Sequence, residues 1–282
     1  MPLITGKNGF IAGRLIEKFN TNNLKAQVTS HECNDNKNCF SLDLRSPEKF
    51  EYDRITSQHY VVHLAAVSSP DVCLNKYDYA LQVNVKGTCH FIENCLKQGA
   101  RVLFFSSDTV YGPSHQIFDE DAECTPVGIY GEMKNTVEKH FAGENLFKVF
   151  RLSYVFSKKD KYTQYLAKCC EQNSPVEVYH PLYRNVVYLE DVLEAVFDLY
   201  GKWDSFDNSI FNICGQELLS RKDLAYIFKE LICPTLDIAI VRPDESFYKA
   251  RPATIHLRSK YLSSLLSRKP TLISKAMGLE FK

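Results

Sequence analysis

The sequence predicts an α/β fold, in which helices cover both faces of a doubly wound parallel sheet and a smaller lobe follows. Two observations indicate this architecture. Short apolar runs alternate with longer segments of helical spacing through the first half of the chain, as in consecutive strand and helix units. The first apolar run leads directly into the glycine-containing segment TGKNGFIAGRL, which is typical of the first strand and helix of such a sheet.

Five strands are predicted, each largely apolar, as strands covered on both faces should be. In chain order they are Pro2 to Thr5, Ala26 to Thr29, Tyr60 to Ala66, Arg101 to Ser106, and Phe147 to Leu152. Apolar residues at three- and four-residue spacing predict helices over Ile11 to Phe19, Tyr79 to Lys97, and Tyr130 to Phe141. Beyond Ser157 the alternation loosens. We therefore expect one domain over 1–156 and a smaller lobe over 157–282, from which about 184–212 returns to the sheet.

The segment after the first strand predicts a site for a dinucleotide. Gly6 permits a tight turn, Gly9 lets the backbone approach a pyrophosphate, and the helix N-terminus offers unpaired N–H groups to its oxygens. Ala12 stands where a third glycine would pack the helix on the strand, and alanine is small enough to serve there. The strand, loop and helix together indicate a Rossmann-like domain that binds NAD(P) over 1–156. The predicted cofactor site in this loop comprises Gly6, Asn8, Gly9, Phe10 and Ile11.

The end of the second strand bears on the choice between NAD and NADP. An acidic residue there would hold the ribose 2′-hydroxyl of NAD, but Ser30 and His31 occupy the position. Both can donate to a 2′-phosphate, so NADP is the preferred cofactor and NAD the alternative. If the strand is displaced by two residues, Glu32 would take the acidic role instead.

Composition limits the partners. Lys plus Arg and Asp plus Glu each number 34, so no basic excess predicts nucleic acid or an anionic membrane as a partner. No apolar run approaches membrane-spanning length and no leader is evident, which predicts a cytoplasmic protein. The ten cysteines contain no C-x-x-C pair, so we expect reduced, mostly structural thiols and no metal. Asp119, Glu120 and Asp121 are expected to form a solvated loop.

Tyr130 and Lys134 form a Y-x-x-x-K motif on the last predicted helix. One helical turn brings the phenol and the ammonium to the same side. A cation beside a tyrosine favours the phenolate, and bringing the phenol pKa from about 10 to about 7 takes roughly 4 kcal/mol. One charge at about 4 Å and an effective dielectric of about 20 supplies that much. The motif therefore predicts acid–base chemistry near neutral pH.

Five segments in this order carry a family resemblance. They are the glycine loop, VVHLAA from Val61, QVNVKGT from Gln82, SSDTVYG from Ser106, and YGEMK from Tyr130. Together they resemble the extended short-chain dehydrogenase/reductases, most closely the NAD(P)-dependent nucleotide-sugar epimerases, dehydratases and reductases. Later segments also match, among them YRNVVYLEDVLEA with Arg184 and KARPATIHLRSKYL with Arg251. The resemblance covers nearly the whole chain, implies a substrate-binding role for the lobe over 157–282, and implies a homodimer.

The resemblance implies roles for single residues. Ser107 would hydrogen-bond the reacting oxygen, Tyr130 would be the acid/base, and Lys134 would hold the nicotinamide ribose. Further cofactor contacts would come from Asp43, Leu44, Leu64, Ala65, Ala66 and Asn84. Arg184 and Arg251 would grip the diphosphate of the substrate, with Tyr154, Tyr183 and the stretch from Lys249 to Arg258 setting selectivity. Asn84 could instead brace its helix, the two arginines could brace the lobe, and His63 is expected to be a core histidine.

The reactions of the group differ in the residues found at positions 107–109. This chain has Ser107, Asp108 and Thr109 there. The related dehydratases resemble S-T-D-E-V-Y-G, and the glutamate is absent here, so the base for water elimination is missing. Asp108 fits reductases whose motif resembles S-T-D-Y-V, and Asp108 and Thr109 are expected to contact the substrate. We therefore expect NAD(P)H-dependent reduction of a keto group, usually at C4, of a nucleotide-linked deoxy sugar. A 4-epimerase with tightly bound NAD and a non-catalytic regulatory protein are the alternatives.

Overall fold

The computed structural model describes residues 1–31, 33, 38–113, 116–249 and 251–282. Its centre is a seven-stranded sheet in the order β3-β2-β1-β4-β5-β7-β12, with every neighbouring pair parallel. These strands are β1 (Pro2–Ile4), β2 (Gln27–Ser30), β3 (Cys39–Ser41), β4 (Tyr60–His63), β5 (Arg101–Ser107), β7 (Phe147–Leu152) and β12 (Ile210–Ile213). The chain starts at the middle of the sheet and winds outward in both directions, which confirms the predicted Rossmann-like fold.

Helices cover both faces of this sheet. The helices of the described residues, including those that pack on the smaller sheets, are α1 (Phe10–Thr21), α2 (Pro70–Asn75), α3 (Tyr77–Leu81), α4 (Thr88–Lys97), α5 (Ile129–His140), α6 (Lys161–Glu171), α7 (Leu189–Lys202), α8 (Arg221–Leu231), α9 (Glu245–Lys249), α10 (Leu262–Leu265) and α11 (Ile273–Glu280). Successive strand residues face opposite sides: Val61 of β4 packs in the hydrophobic cluster with α4, and Val62 in the cluster with α1 and α7. Both strand faces are therefore buried, as the apolar runs predict.

The remaining strands form small sheets. They are β6 (Ile117–Phe118), β8 (Val155–Phe156), β9 (Val176–Tyr179), β10 (Tyr183–Asn185), β11 (Val187–Tyr188), β13 (Leu218–Ser220), β14 (Ile238–Val241) and β15 (Thr254–Leu257). Their orders are β13-β10-β15-β6, β11-β8 and β14-β9. Helix α7 packs on α1, and β12 pairs with β7. We keep the division into 1–156 and 157–282, with 184–212 returning to the sheet, as a proposal.

The segment from Tyr79 to Lys97 differs from the single predicted helix. A π-helical turn, Gln82–Gly87, separates α3 from α4. The apolar spacing continues across the turn, so periodicity alone did not reveal it. Strand β3 was also missed, because its three residues Cys39–Ser41 are too few to carry an alternation.

The prediction that the cysteines are reduced is wrong for four of them. Disulfides join Cys33 to Cys39, whose Cα atoms lie 5.8 Å apart, and Cys170 to Cys233, at 6.4 Å. These separations fall within the range that a disulfide spans. Spacing along the chain could not reveal the second pair, because folding brings together residues 63 positions apart. Cys73, Cys89, Cys95, Cys124, Cys169 and Cys214 are free thiols.

Candidate active site

Most of the predicted site residues meet at the carboxyl ends of the sheet strands. Gly6 follows β1, Ser30 ends β2, Leu64 follows β4, and Ser107 ends β5. In a doubly wound parallel sheet this edge forms the ligand-binding crevice. The sheet thus brings together segments that lie about a hundred residues apart in the sequence.

A cavity of about 400 Å³ lies over this edge. The predicted residues that line it are Gly6, Asn8, Gly9, Ser30, His31, Asp43, Leu44, Leu64, Ala65 and Ala66. Prediction missed Thr29, Leu42, Arg45, Val67, Tyr79 and Val83, which line it too. Val83 lies in QVNVKGT, where the predicted contact is Asn84, and no quoted motif contains the other five. Phe10 and Ile11 begin α1 beside the cavity, and Ile11 packs against the core, so we expect only their backbone N–H groups to serve a ligand.

The glycine loop has the shape of a phosphate cradle. Gly6 has a φ of +71°, and a Cβ there would lie 3.3 Å from Ala65 Cα. A larger residue would therefore be strained and would crowd the loop after β4. No side chain caps the N-terminus of α1 at Gly9, so the first N–H groups of this helix stay available to an anion. The loop fits a dinucleotide pyrophosphate.

Asn84 hydrogen-bonds the protein backbone, and its contact with a cofactor stays a prediction. It is 2% exposed and lies in the π-helical turn. Its Oδ1 accepts from the Val67 N–H at 2.8 Å, and its Nδ2 donates to the Val67 carbonyl at 2.9 Å. Both polar atoms of the amide therefore brace the loop after β4, whereas the alternative interpretation of the sequence was that Asn84 braces its own helix.

Tyr130 and Lys134 lie one turn apart on α5, but the expected effect on the tyrosine pKa is wrong for this structure. The Lys134 Nζ is 5.8 Å from the centroid of the Tyr130 ring, and it donates to the Phe105 carbonyl at 2.7 Å. Burial raises the pKa of Tyr130 above its ordinary value. Burial also lowers the pKa of Lys134 to about 8. The phenol therefore holds its proton, because desolvation outweighs the attraction of the ammonium.

Gly131 fixes the distance between α5 and the serine loop. A Cβ at this position would lie 2.7 Å from the carbonyl oxygen of Thr109, closer than real contacts allow. The glycine lets the helix that carries Tyr130 approach the turn that carries Ser107. The Y-G dipeptide is thus explained by packing as well as by chemistry.

Ser107 is held by its neighbours in the sequence. Its Oγ accepts from the Thr109 N–H at 3.2 Å and from Thr109 Oγ1 at 3.0 Å. It donates to Asp108 Oδ1 at 3.2 Å. Asp108 is only 5% exposed. Asp108 and Thr109 therefore both contact the serine, and their contact with the substrate stays a prediction.

The predicted arginines line a second cavity, of about 110 Å³. Its lining is Tyr154, Leu182, Arg184, Val186, Leu219, Arg221, Leu224 and Arg251. Arg221 was missed, because it belongs to no motif and lies near the others only through the fold. Arg184 pairs with Asp108 at 3.3 Å and Arg251 pairs with Asp71. In the part of the chain that the structure describes, Arg221 has no carboxylate within ion-pair distance, so the cavity carries excess positive charge.

Two other predictions concern residues outside these cavities. His63 is 1% exposed, and its ring nitrogens face Thr5 Oγ1 and Thr88 Oγ1, each at 3.3 Å. Burial lowers its pKa to about 3, so it is the expected core histidine. Glu32 lies outside the described residues.

Comparison with known proteins identifies the family. The model of the RmlD substrate binding domain matches residues 1–274. The chain belongs to this family. It is therefore a member of the extended short-chain dehydrogenase/reductases of the nucleotide-sugar group, a class of oxidoreductase-type enzymes, and the resemblance is confirmed.

Relatives of this family member differ in function. The beta subunit of methionine adenosyltransferase 2 from Bos taurus is 25% identical over 239 residues, 79% of this chain and 69% of the relative. A putative UDP-glucose 4-epimerase from Methanocaldococcus jannaschii is 26% identical, over 55% of this chain and 52% of the relative. The crystal structure of a UDP-glucose 4-epimerase with UDP-glucose, from Thermotoga maritima, has a TM-score of 0.81 at 20% identity and covers 99% of this chain and 97% of its own. The last likeness concerns the fold.

No described helix is long and apolar enough to cross a membrane. The described residues also contain no group of three or more His, Cys, Asp or Glu side chains that could hold a metal ion.

Proposed function

We propose that the protein reduces a keto group, at C4, of a nucleotide-linked deoxy sugar with NADPH. The observation that carries the proposal is the state of Tyr130. Burial raises the pKa of its phenol, and a phenol that keeps its proton is a donor to a developing alkoxide. Oxidation of a sugar hydroxyl, the first half of epimerisation, would instead need the phenolate.

The residues then divide the reaction as follows. Bound NADPH supplies a hydride to the keto carbon. Tyr130 donates its proton to the oxygen of that carbon, and Ser107 hydrogen-bonds the same oxygen. The Lys134 ammonium lies on the same helix face and stabilises the phenolate that remains. Arg221 and Arg251, with Arg184 behind them, supply the positive charge for a diphosphate.

NADP preference rests on the hydrogen-bond donors near the end of β2. Ser30 and His31 line the cofactor cavity. Lys7, which prediction missed, donates its backbone N–H to the Thr29 carbonyl at 3.1 Å. Its Nζ lies 3.7 Å from the sulfurs of Cys33 and Cys39. An ammonium at the end of this strand favours a 2′-phosphate.

A 4-epimerase is the second candidate, and the putative UDP-glucose 4-epimerase among the relatives favours it. A non-catalytic regulatory protein is the third, favoured by the relative that is a subunit of another enzyme. The chain retains Ser107, Tyr130 and Lys134, which a non-catalytic regulatory protein would not need, and this argues against the third candidate. Assembly as a homodimer and a cytoplasmic location stay predictions.

Incubation with NADPH and a nucleotide-linked 4-keto-6-deoxy sugar separates the three candidates. A reductase oxidises one NADPH for each sugar reduced, which the fall in NADPH absorbance measures. Isomerisation of a 4-hydroxy sugar nucleotide without net loss of NADPH would identify an epimerase. If neither reaction occurs while NADPH binds, the regulatory candidate stands and the proposed function is wrong.

A further inference from the structure

Asp108 joins the catalytic serine to the arginine cavity. Its Oδ1 accepts from Ser107 Oγ at 3.2 Å, and its Oδ2 accepts from Ser153 Oγ at 3.2 Å. Arg184 Nε lies 3.3 Å from the same Oδ2. Both oxygens of a carboxylate that is 5% exposed are thus used by protein groups.

The direction of the Ser107 hydrogen bond matters for the proposed reaction. A serine hydroxyl carries one proton, and here that proton is donated to Asp108. The lone pairs of Ser107 Oγ already accept from Thr109. A keto oxygen is an acceptor only, so Ser107 cannot assist its reduction until its proton is turned away from Asp108.

Arg184 is positioned to control this proton. Its other donors go to the backbone carbonyls of Tyr183, at 2.7 Å, and Pro252, at 2.9 Å. Its only carboxylate partner among the described residues is Asp108. Since Arg184 also lines the cavity, an anion bound there attracts the guanidinium and adds negative charge beside the carboxylate.

We propose that Asp108 is a positioning residue that accepts the Ser107 proton, and so withholds it from the substrate, until an anionic group of the substrate engages Arg184. The carboxylate then takes up a proton from solvent, and its new O–H replaces the Thr109 hydroxyl as a donor to Ser107 Oγ. The serine proton becomes available to the keto oxygen. The effect of this proton on catalysis rests on the proposed function.

The charged surroundings of Asp108 agree with proton uptake. Burial raises the pKa of Asp108, and Arg184 on β10 is the largest influence that lowers it. Tyr130 on α5 and Cys214 after β12 also face the carboxylate, and both are neutral in this state because burial raises the pKa of each. An anion on Arg184 therefore offsets the main group that keeps Asp108 ionised.

Calorimetric titration with UDP as the probe, in two buffers of different ionisation enthalpy, counts the protons taken up on binding. The number of protons taken up on UDP binding should be larger for wild type than for D108N, by up to about one. UDP should bind D108N about tenfold more tightly, because a buried negative charge near the anion is gone. D53N, which removes an exposed carboxylate, should behave as wild type. Equal proton uptake and equal affinity in wild type and D108N would overturn the proposal.

R184Q and a comparison in the S107A background separate the proposed role of Asp108 from a loss of folding or of activity. R184Q should bind UDP more weakly and take up no extra proton, since Asp108 lacks its cation before UDP arrives. Retained NADPH binding reports that each variant is folded. In turnover, any effect of D108N on kcat should disappear in an S107A background, whereas equal effects in both backgrounds would contradict the coupling. UDP binding needs no turnover, so it tests Asp108 even if the reductase assignment fails.

Discussion

On one face of α5, the ammonium of Lys134 is buried and the side chain of Tyr130 is partly buried. Desolvation acts on them in opposite directions, lowering the pKa of the lysine to about 8 and raising that of the tyrosine. Both shifts disfavour charge at this site. The reduction we propose creates a phenolate next to an ammonium, so it produces the ion pair that relieves this penalty.

Lys134→Met should therefore stabilise the fold at pH 7 while abolishing activity. The folded-state pKa of Lys134, about 8, lies below the ordinary lysine value of 10.5, so the folded state releases its proton first. Wild-type stability consequently rises with pH between about 8 and 10.5, and the advantage of K134M fades over that window. At pH 7 the gain in the free energy of unfolding should reach at most about 3 kcal/mol.

Denaturant unfolding of wild type and K134M at pH 7 and pH 10 measures this difference. K158M, at an exposed lysine, is the control and should change little. A K134M protein that is less stable than wild type at pH 7 would show that the Lys134 ammonium stabilises the fold.

Lys7 provides a residue-scale test of cofactor choice. K7M should raise the dissociation constant for NADPH about tenfold, because one charge-assisted hydrogen bond to the 2′-phosphate is lost. The NADH constant should not change, since NADH lacks this phosphate. K25M, at an exposed lysine before β2, is the control. An equal loss of affinity for both cofactors would mean that Lys7 does not read the 2′-phosphate.

At the scale of elements, the contact between α5 and the serine turn sets the geometry of the site. Gly131 is the point of closest approach, with its Cβ position 2.7 Å from the Thr109 carbonyl. Helix α5 ends in Lys139 and His140, where positive charge suits the helix C-terminus. The charges at its C-terminus therefore stabilise α5, and the carbonyl oxygen of Thr109 limits how closely the helix approaches the serine turn.

G131A should push α5 away from the serine turn. We expect a loss of about 1–3 kcal/mol in the free energy of unfolding, as for other overpacked sites, and at least a tenfold loss of kcat. G278A in α11 is the matched control, because its Cβ would meet nothing within 4 Å. It should gain about 0.5–1 kcal/mol from helix propensity. Equal effects of the two variants in denaturant unfolding would exclude the contact as the cause.

The Cys170–Cys233 disulfide joins the end of α6 to the segment after α8. It closes a loop across a sequence separation of 63 residues, which by chain entropy stabilises the fold by about 4 kcal/mol. C170A/C233A should lower the Tm accordingly and keep NADPH binding, since both residues lie outside the cofactor cavity. Thermal unfolding with and without reductant measures it. A Tm unchanged by either treatment would contradict a stabilising bond.

At the scale of the whole molecule, the sequence predicted those parts of the site whose residues form a recognisable motif along the chain. The Gly6 loop, Ser107, Tyr130 and Lys134 each carry a local signature, and the strand at Phe147–Leu152 has the predicted bounds. Arg221 and the disulfides could not be predicted, because only the folded chain places them. The Tyr130 pKa was predicted in the wrong direction, since burial is a property of the whole fold and a sequence displays only the neighbouring charge.

The direction of hydride transfer is the central claim, and isotope transfer tests it most directly. NADPH carrying deuterium at the transferred position is incubated with a nucleotide-linked 4-keto-6-deoxy sugar, and the product is examined by NMR. We expect one deuterium on the sugar C4 for each NADPH oxidised, and none with Y130F, while Y226F, at an exposed tyrosine, should match wild type. Isomerised sugar with no deuterium gained from NADPH, or full transfer by Y130F, would contradict it.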